Sequence, residues 1–420
     1  MTANASSKQW PIKRLRYLTS RGPSDSSRAL LAHVSEASFL PMEAIGEQGQ
    51  LDLSRIHSIE NLKTGYSQFF DGDVVIAKIT PCFENGKGAL IQGTLGGVGF
   101  GTTELYVLTP EPELDGRFLY YVTVDPRFRK LGESYMTGAA GQQRVPEDFV
   151  RDFQVPIPDL SQQRIITDYL DHETARLDAL VAEKERLLDL LAEKRNALIT
   201  RSITRGLDPN VPFRDSGISW LGEIPAHWET ERAKWLSRER DERSDTGEED
   251  LLTVSHLTGV TLRSEKDVNM FEAATKEGYK ICLSGDLVIN TMWAWMGAMG
   301  VSSLDGIVSP AYNVYELRAR LDPSYVDALV RLSAFAQEVT RYSKGVWSSR
   351  LRLYPEGFFA VSLPVPPLSE QREIVAHIEN ETCKLDGLRD ATERTTVLLK
   401  ERRAALIAAA VTGHIDIGNP

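Results

Sequence analysis

An internal duplication is the feature that most constrains how this chain can fold. The stretch "PIPDLSQQRII" at 156–166 returns as "PVPPLSEQREI" at 364–374, and residues 156–208 align with 364–416 without a gap. Many positions in the two copies are identical. Because so dense a repeat means that one supersecondary unit is built twice, it has to be interpreted before any local motif.

The repeated segments predict two long helices. Apolar residues recur at three- and four-residue steps through both copies, and Pro-x-Pro is typical of an extended lead-in. Ser161 and Ser369 are the predicted N-caps, and Gly206 and Gly413 the predicted helix ends. Each helix would run for about 40 residues, or about 60 Å. Two such helices with one apolar stripe each would most simply pack on each other as an antiparallel coiled coil.

The regions before the two helices repeat more weakly, but in the same order. "GYSQFFDGDVVIAKIT" at 65–80 parallels "GYKICLSGDLVINTMW" at 278–293, and "YMTG" at 135–138 parallels "YSKG" at 342–345. Their hydrophobic patterns predict both strands and helices. The strands are expected at 73–79, 104–108, 286–292 and 312–317, and the helices at 117–124 and 324–342.

The predicted fold class is therefore mixed α/β. Two α/β domains are separated by two long helices that form an antiparallel coiled coil, and the whole chain is a pseudo-two-fold internal repeat. The predicted segments are a first domain at 1–155, a first helix at 156–208, a second domain at 209–363, and a second helix with a C-terminal tail at 364–420.

Composition limits the class of protein. With 420 residues, 42% of them hydrophobic and 25% charged, the chain is typical of a globular protein of several domains. No apolar run predicts a membrane span or a signal peptide, and three scattered cysteines favour a reducing cytoplasm. The net charge of −11 argues against non-specific coating of DNA. Much of the acidic excess lies in one run at 239–250, so a local basic cleft remains compatible with it.

Enzyme signatures are absent from the sequence. "GGVGFG" at 96–101 lacks the Lys-Ser/Thr of a phosphate-binding loop and precedes a predicted strand, which favours a plain glycine turn. The seven histidines show no metal-ligand spacing, and no nucleophile elbow, HExxH motif or amino-methyltransferase tetrad is found. These absences argue against an enzyme, and a catalytic site assembled from distant residues stays an open alternative.

Polar and aromatic loops occupy matching places in the two halves. They are "KITPCFENGK" at 78–87 and "AAGQQR" at 139–144 in the first half, and "NTMWAWMGAMG" at 290–300 and "VWSSRLR" at 346–352 in the second. Arg and Gln offer the bidentate groups that recognise guanine and adenine edges, and Ser, Thr and Asn add further polar contacts. The loops are candidates for binding, with ordinary surface loops as the alternative.

Across essentially its whole length the chain resembles the specificity subunit of type I restriction–modification systems. The resemblance rests on the duplicated Pro-x-Pro-x-Leu-Ser-x-Gln-Arg, on "SGISWLGEIPAHWE" at 216–229, on "DGDVVIAKITPCFENGK" at 71–87 and on "GAAGQQRV" at 138–145. It implies two target-recognition domains that each read one half of a bipartite sequence in double-stranded DNA. The helices would fix the spacer between the halves.

The resemblance also implies that the chain itself is non-catalytic and binds no metal or cofactor, and it implies partners and site residues. Two modification (methyltransferase) subunits would dock on the helices and supply S-adenosylmethionine, while a restriction subunit, where present, would bring ATP and magnesium. The expected location is the bacterial or archaeal cytoplasm. The docking candidates are Gln163, Arg164, Leu177, Leu180, Gln371, Arg372, Leu385 and Leu388. The DNA-binding candidates are Lys78, Thr80, Lys87, Gln142, Gln143 and Arg144 in the first domain, and Asn290, Thr291, Trp293, Trp347, Ser348, Arg350 and Arg352 in the second.

Two other interpretations remain open from the sequence. A symmetric protein–protein scaffold with no direct DNA contact would also use duplicated domains and long helices, although the Gln-, Arg- and Ser-rich loops favour DNA. An enzyme with an unrecognised site is the third possibility. The two tryptophans among the candidates, Trp293 and Trp347, could also be core residues, which is the commoner role of tryptophan.

Overall fold

The computed structural model describes residues 10–20, 29–31, 33–62, 64–139, 141–266, 275–345, 351–415 and 417. It divides into two compact units. The first comprises residues 1–186 and 393–420, and the second comprises residues 187–392. Each unit therefore contains one globular region and a part of each long helix. The sequence predicts four segments, two domains and two helices, whereas this division gives two units. The boundaries of the four segments therefore stay a prediction.

The helices and strands alternate as expected of an α/β chain. The α-helices are Ile59–Leu62, Gly116–Val124, Pro126–Ser134, Glu147–Asp152, Leu160–Arg205, Ala233–Leu236, Pro323–Val330, Ser333–Arg341, Pro355–Ala360 and Leu368–Val411. The strands are Ile12–Arg14, Thr19–Ser20, Glu36–Leu40, Ile56–Ser58, Ser67–Phe70, Val74–Ala77, Gly88–Leu90, Val98–Gly101, Leu105–Pro110, Gln154–Pro156, Phe213–Asp215, Glu223–Pro225, Glu229–Arg232, Ser237–Arg240, Leu252–Ser255, Gly259–Leu262, Lys280–Cys282, Leu287–Asn290, Met299–Val301, Gly306–Val308, Tyr312–Leu317 and Ser362–Val365.

Each unit contains an antiparallel four-stranded sheet of the same topology. In the first unit the order is Thr19–Ser20, Leu105–Pro110, Val74–Ala77 and Gly88–Leu90. The central strand Val74–Ala77 is fully buried, as its unbroken apolar run predicts. The duplication seen in the sequence is thus present in the strand order.

The sheet of the second unit repeats this arrangement strand by strand. Its order is Ser237–Arg240, Tyr312–Leu317, Leu287–Asn290 and Met299–Val301. The register matches as well: Ala77 pairs with Leu105 in the first sheet, and Asn290 pairs with Tyr312 in the second. This register makes Lys78 structurally equivalent to Thr291.

A two-stranded antiparallel ribbon is shared as well. It pairs Ile12–Arg14 with Gln154–Pro156 in the first unit and Glu229–Arg232 with Ser362–Val365 in the second. Other strands distinguish the two units. The first unit adds a second four-stranded sheet, in the order Ile56–Ser58, Glu36–Leu40, Val98–Gly101 and Ser67–Phe70. In the second unit two other short ribbons are found instead, Leu252–Ser255 with Gly259–Leu262 and Lys280–Cys282 with Gly306–Val308.

The long helices begin and end close to the predicted positions. Gly206 and Gly413 terminate them with φ of +70° and +74°, a backbone conformation that glycine adopts without strain. A Cβ atom at Gly413 would lie 3.2 Å from the Trp10 ring, and one at Gly206 would lie 3.2 Å from the Trp228 ring. Both long helices thus end at a glycine that packs against a tryptophan ring.

The helix starts differ from the prediction that Ser161 and Ser369 are N-caps. Both serines lie inside the helices, which begin at Leu160 and Leu368. Asp159 provides the cap of the first helix, because its Oδ1 accepts from the Gln162 amide at 2.9 Å. The predicted single helix at 324–342 is also divided, into Pro323–Val330 and Ser333–Arg341.

Ion pairs join the long helices within each unit. In the first unit the Arg403 Nε lies 2.8 Å from the Asp178 Oδ1, and in the second the Arg195 Nη1 lies 2.5 Å from the Asp386 Oδ1. Asp178 aligns with Asp386 in the repeat, and Arg195 aligns with Arg403. The two pairs are therefore reciprocal copies of one contact. A third pair, Glu185 with Lys400, fixes the antiparallel direction in the first unit.

One buried glutamine ties each long helix to its domain. The Gln163 Oε1 accepts from the Asp115 amide at 2.8 Å, and its Nε2 donates to the carbonyls of Glu113 and Pro158 at 3.0 and 2.9 Å. Asp115 in turn caps the helix Gly116–Val124. The Gln163 side chain therefore connects the long helix to the segment that precedes the helix Gly116–Val124.

The second glutamine makes the equivalent three bonds. The Gln371 Oε1 accepts from the Asp322 amide at 2.8 Å, and its Nε2 donates to the carbonyls of Arg320 and Pro366, both at 2.9 Å. Asp322 caps the helix Pro323–Val330, as Asp115 caps its counterpart. The identity of the two glutamines in the sequence thus reflects a shared internal role.

Candidate nucleic-acid interface

In the first unit the predicted loops come together at one end of the central strand. The Val145 amide donates to the Lys78 carbonyl at 2.9 Å, and the Thr80 amide donates to the Gln143 carbonyl at 3.0 Å. A reciprocal pair of bonds between Thr137 and Arg144 closes the turn that carries Gln142 and Gln143. Residues 137–139 and 141–145 therefore form the two arms of a hairpin beside residues 78–80, and we call the hairpin arms and residues 78–80 the first loop pair.

The charged groups of the first loop pair surround one carboxylate. The exposed Arg144 guanidinium donates from Nε and Nη2 to the two Glu104 carboxylate oxygens at 2.9 and 2.8 Å. This hydrogen bonding lowers the pKa of Glu104, with smaller contributions from the charges of Arg144 and Lys78. The Lys78 ammonium lies 5.3 Å from the centre of the Tyr106 ring. The Tyr106 hydroxyl donates to the Val145 carbonyl at 2.9 Å and so fixes the hairpin.

Two of the first-domain candidates are occupied within the chain. The Lys87 ammonium donates to the Met42 carbonyl at 3.0 Å, and the Thr80 hydroxyl lies 3.3 Å from the Gln143 carbonyl. These contacts shape the loops. Gln142, by contrast, is exposed at the tip of the hairpin. Among the first-domain candidates, Gln142 and Arg144 are the most accessible to a duplex.

A buried arginine outside the predicted set supports the turn at 81–86. The Arg129 guanidinium donates to the carbonyls of Thr123, Phe83 and Gly86 at 2.6, 2.9 and 3.3 Å. Burial lowers the pKa of Arg129 to about 10. No local sequence pattern indicates this role of Arg129, because Phe83 and Gly86 lie more than forty positions before it.

The second unit builds an equivalent pair of loops. The Leu353 amide donates to the Thr291 carbonyl at 3.0 Å, as Val145 does to Lys78. Lys344 and Arg352 exchange backbone hydrogen bonds, both at 2.9 Å, as Thr137 and Arg144 do. We call residues 291–293 with 344–345 and 351–353 the second loop pair. Arg352 is thus the structural counterpart of Arg144, and its side chain is exposed.

Two candidates in the second unit are buried. Asn290 and Thr291 are only 6% and 8% exposed. The Asn290 Oδ1 accepts from the Met292 amide at 3.2 Å, and the Thr291 hydroxyl donates to the Ala311 carbonyl at 2.8 Å. We therefore do not retain these side chains as base contacts, because they are engaged in shaping the end of the strand. Trp347, Ser348 and Arg350 lie outside the described residues.

Trp293 lies at the surface of the second unit. It is 50% exposed, and its ring stacks on Trp295 with a centroid separation of 6.1 Å and an interplanar angle of 21°. A cavity of about 350 Å³ next to it is lined in part by Met292, Met296 and Tyr312. An exposed, supported aromatic face of this kind suits contact with bases or with a thymine methyl group.

The helix candidates separate into buried and exposed groups. Gln163 and Gln371 are fully buried, and Leu177 and Leu385 are 5% and 8% exposed, so we do not retain these four as docking contacts. Leu180 and Leu388 are 42% and 57% exposed. The exposed side chains of Arg164 and Arg372 each lie within 4 Å of a helix-capping aspartate. Leu180, Leu388, Arg164 and Arg372 remain candidates for a docking surface.

The described part of the chain contains neither a candidate membrane span nor a candidate metal cluster. Among the described helices, none combines the length and apolar character needed to traverse a bilayer. Within the same part of the chain, no three His, Cys, Asp or Glu side chains are grouped so that they could hold a metal ion.

Known proteins resemble this chain in sequence. It is 39% identical over 176 residues to the type I restriction enzyme EcoEI specificity subunit of Escherichia coli, a match that covers 39% of this chain and 30% of that protein. It is 41% identical over 175 residues to the EcoAI specificity subunit of the same species, covering 38% and 30%. The resemblance predicted from the sequence is confirmed. The match spans less than a third of the length of these two relatives, and no family model matches the chain.

Longer matches exist at lower identity. The EcoKI specificity subunit of E. coli K12 is 23% identical over 327 residues, which cover 74% of this chain and 68% of that protein. A solved structure from work on complex assembly and conformational transition of a type I restriction–modification system superimposes with a TM-score of 0.66 at 18% identity, covering 97% and 99%. The HsdS subunit of Thermoanaerobacter tengcongensis gives 0.58 at 15% identity, covering 97% and 98%. The predicted fold class is thereby confirmed.

Proposed function

We propose that this chain is the DNA-recognition subunit of a type I restriction–modification complex. Each globular domain reads one half of a bipartite target, and the long helices set the spacing between the halves. The observation that carries the proposal is the paired placement of two arginines: Arg144 and Arg352 lie in equivalent backbone-bonded segments at the ends of the equivalent central strands of the two units. The similarity to specificity subunits supports it.

The loop pairs have chemistry suited to a duplex. Arg144 and Arg352 can donate to base edges or phosphates, Gln142 adds a bidentate amide, and Trp293 offers an apolar face. Because the chain carries a net charge of −11, these local groups and the partner subunits would together have to attract the DNA. Half-sites on one duplex also have to be met at a fixed separation and rotational phase, which two long helices can provide.

The chain is proposed to act without catalysing a reaction. Two methyltransferase subunits would dock on the long helices through surfaces that include Leu180 and Leu388, and would bring S-adenosylmethionine. A restriction subunit, where one is present, would bring ATP and magnesium. The assembled complex would then methylate adenine, and this chain would choose the site.

Selection from a random pool of duplexes tests this proposal. The chain is co-purified with its methyltransferase subunits, incubated with random-sequence DNA, and the retained duplexes are sequenced. We expect two short sequence blocks separated by a gap of fixed length. Retention without any enriched sequence, or no retention, would instead favour a scaffold that does not contact DNA.

A further inference from the structure

The guanidinium of Arg144 is held along one edge only. Its Nε–Nη2 edge faces the Glu104 carboxylate with two hydrogen bonds of 2.9 and 2.8 Å. The Nη1 atom makes only a long contact of 3.5 Å with the Gln142 carbonyl. A guanidinium has five N–H donors in a fixed plane, so the Nη1–Nη2 edge keeps donors for a second planar partner.

The Glu104 carboxylate affects which partner can bind the free Nη1–Nη2 edge of Arg144. A bidentate arginine matches the O6 and N7 acceptors of guanine, and it also matches a phosphate. Glu104 carries a negative charge within 3 Å of the guanidinium, which opposes the approach of a phosphate more than that of a neutral base. Holding the guanidinium in one plane also reduces the entropy lost when it forms a second bidentate contact.

We propose that Glu104 is a positioning residue that presents Arg144 to a guanine in the half-site read by the first domain. The inference rests on the proposed function of the chain and deepens it. It assigns one base-reading side chain, the base that this side chain selects, and the residue that orients it.

The second unit supplies a natural comparison. Because Leu105 and Tyr312 occupy equivalent positions in the two sheets, the counterpart of Glu104 is Ala311, which cannot hold an arginine by its side chain. The side chain of Arg352, the counterpart of Arg144, has no hydrogen-bond or ion-pair partner among the residues that the structure describes. The carboxylate-held arginine is therefore a feature of the first loop pair and not of the repeated framework.

The test compares variants of the co-purified complex in the random-duplex selection, together with affinities for matched and substituted duplexes at several salt concentrations. The variants are Arg144→Ala, Arg144→Lys and Glu104→Gln. Lys13→Ala and Glu113→Gln serve as matched controls, because Lys13 and Glu113 form an exposed ion pair at 2.6 Å. Glu104 precedes the strand Leu105–Pro110, and Glu113 follows the other end of that strand. Thermal unfolding of each variant checks the fold.

We expect Arg144→Ala to abolish the preference for guanine at one position, by about tenfold or more, and to leave every other position unchanged. Arg144→Lys should restore little of it, because a lysine lacks the bidentate edge. Glu104→Gln should weaken the preference at that same position while raising affinity for unrelated duplexes, since a negative charge is removed. A merely structural role for Glu104 would give neither the single-position effect nor the gain. The two controls should match the unaltered complex.

Three results would overturn the inference. A uniform loss of affinity across all sequences with a shallower salt dependence in Arg144→Ala would make this residue a phosphate contact. Relaxation at a base pair other than G·C would make it a reader of a different base. Unchanged discrimination in Glu104→Gln would remove the positioning role. If the unaltered complex itself enriches no sequence, the proposed function fails, and that outcome is distinct from these three.

Discussion

The replacement Gln163→Leu tests whether the buried glutamines join the long helices to their domains. Leucine has nearly the same volume as glutamine but can make none of its three hydrogen bonds, which are 2.8 to 3.0 Å long. Each bond contributes about 1 kcal/mol net, and leaving the Asp115 amide without its acceptor costs roughly 1 to 3 kcal/mol more. Burial of the added apolar surface offsets about 1 kcal/mol.

The expected net loss in the free energy of unfolding is therefore about 3 to 5 kcal/mol. For a cooperative unit on the order of 200 residues, this lowers the melting temperature by roughly 6–20 °C. Gln371→Leu should cost a similar amount, because Gln371 makes the same three bonds. Arg164→Ala is the control, since its exposed side chain lies 3.9 Å from Asp115 and surface pairs contribute little.

Two measurements report on this prediction. Urea unfolding gives the free-energy change, and hydrogen exchange gives the protection of the Asp115 amide, which should fall in Gln163→Leu and not in Gln371→Leu. A loss below about 0.5 kcal/mol in both glutamine variants would refute the role that we assign to the buried bonds. An equal loss in Arg164→Ala would refute it as well, because the effect would then not depend on burial.

Two further predictions concern buried charges. Burial raises the pKa of Asp73, so its ionisation weakens the fold increasingly as the pH rises from the ordinary pKa of an aspartate to the raised one. Asp73→Asn should therefore raise the urea midpoint at pH 7 and remove this contribution to the pH dependence. The equivalent Asp286→Asn should instead lower the free energy of unfolding by about 3 kcal/mol, because Asp286 pairs with the nearly buried Arg240 at 2.7 Å. Equal effects of Asp73→Asn and Asp286→Asn in urea titrations at pH 5 and 7 would contradict this difference. Arg129→Lys should lower the free energy of unfolding by about 2 kcal/mol, because lysine cannot span three carbonyls, and an unchanged urea midpoint would argue against that.

The architecture could be predicted from the sequence because the duplication repeats its hydrophobic pattern. Central strands were expected at 73–79 and 286–292 and lie at Val74–Ala77 and Leu287–Asn290. Glycines following an apolar-periodic run marked the two helix ends. These features depend on neighbours in the chain, and local patterns record them.

The side-chain roles were harder to predict because they depend on distant partners. Gln163 and Gln371 are identical in the repeat, and identity shows a shared requirement without showing whether it is internal or external. Asn290 and Thr291 follow a strand and are polar, but the sheet buries them. Glu104 was missed because its partner Arg144 is forty residues away, and only the sheet and hairpin bring the two side chains together.

We propose that this chain chooses the DNA sequence that a methyltransferase modifies, with one half chosen by each domain. Mapping of methylated adenines across the genome tests it in cells that have the chain, in cells that lack it, and in cells where residues 1–155 are replaced by another recognition domain. We expect a bipartite methylated sequence that vanishes without the chain and changes in one half only after the exchange. Methylation that persists without the chain, or an exchange that alters both halves, would contradict it.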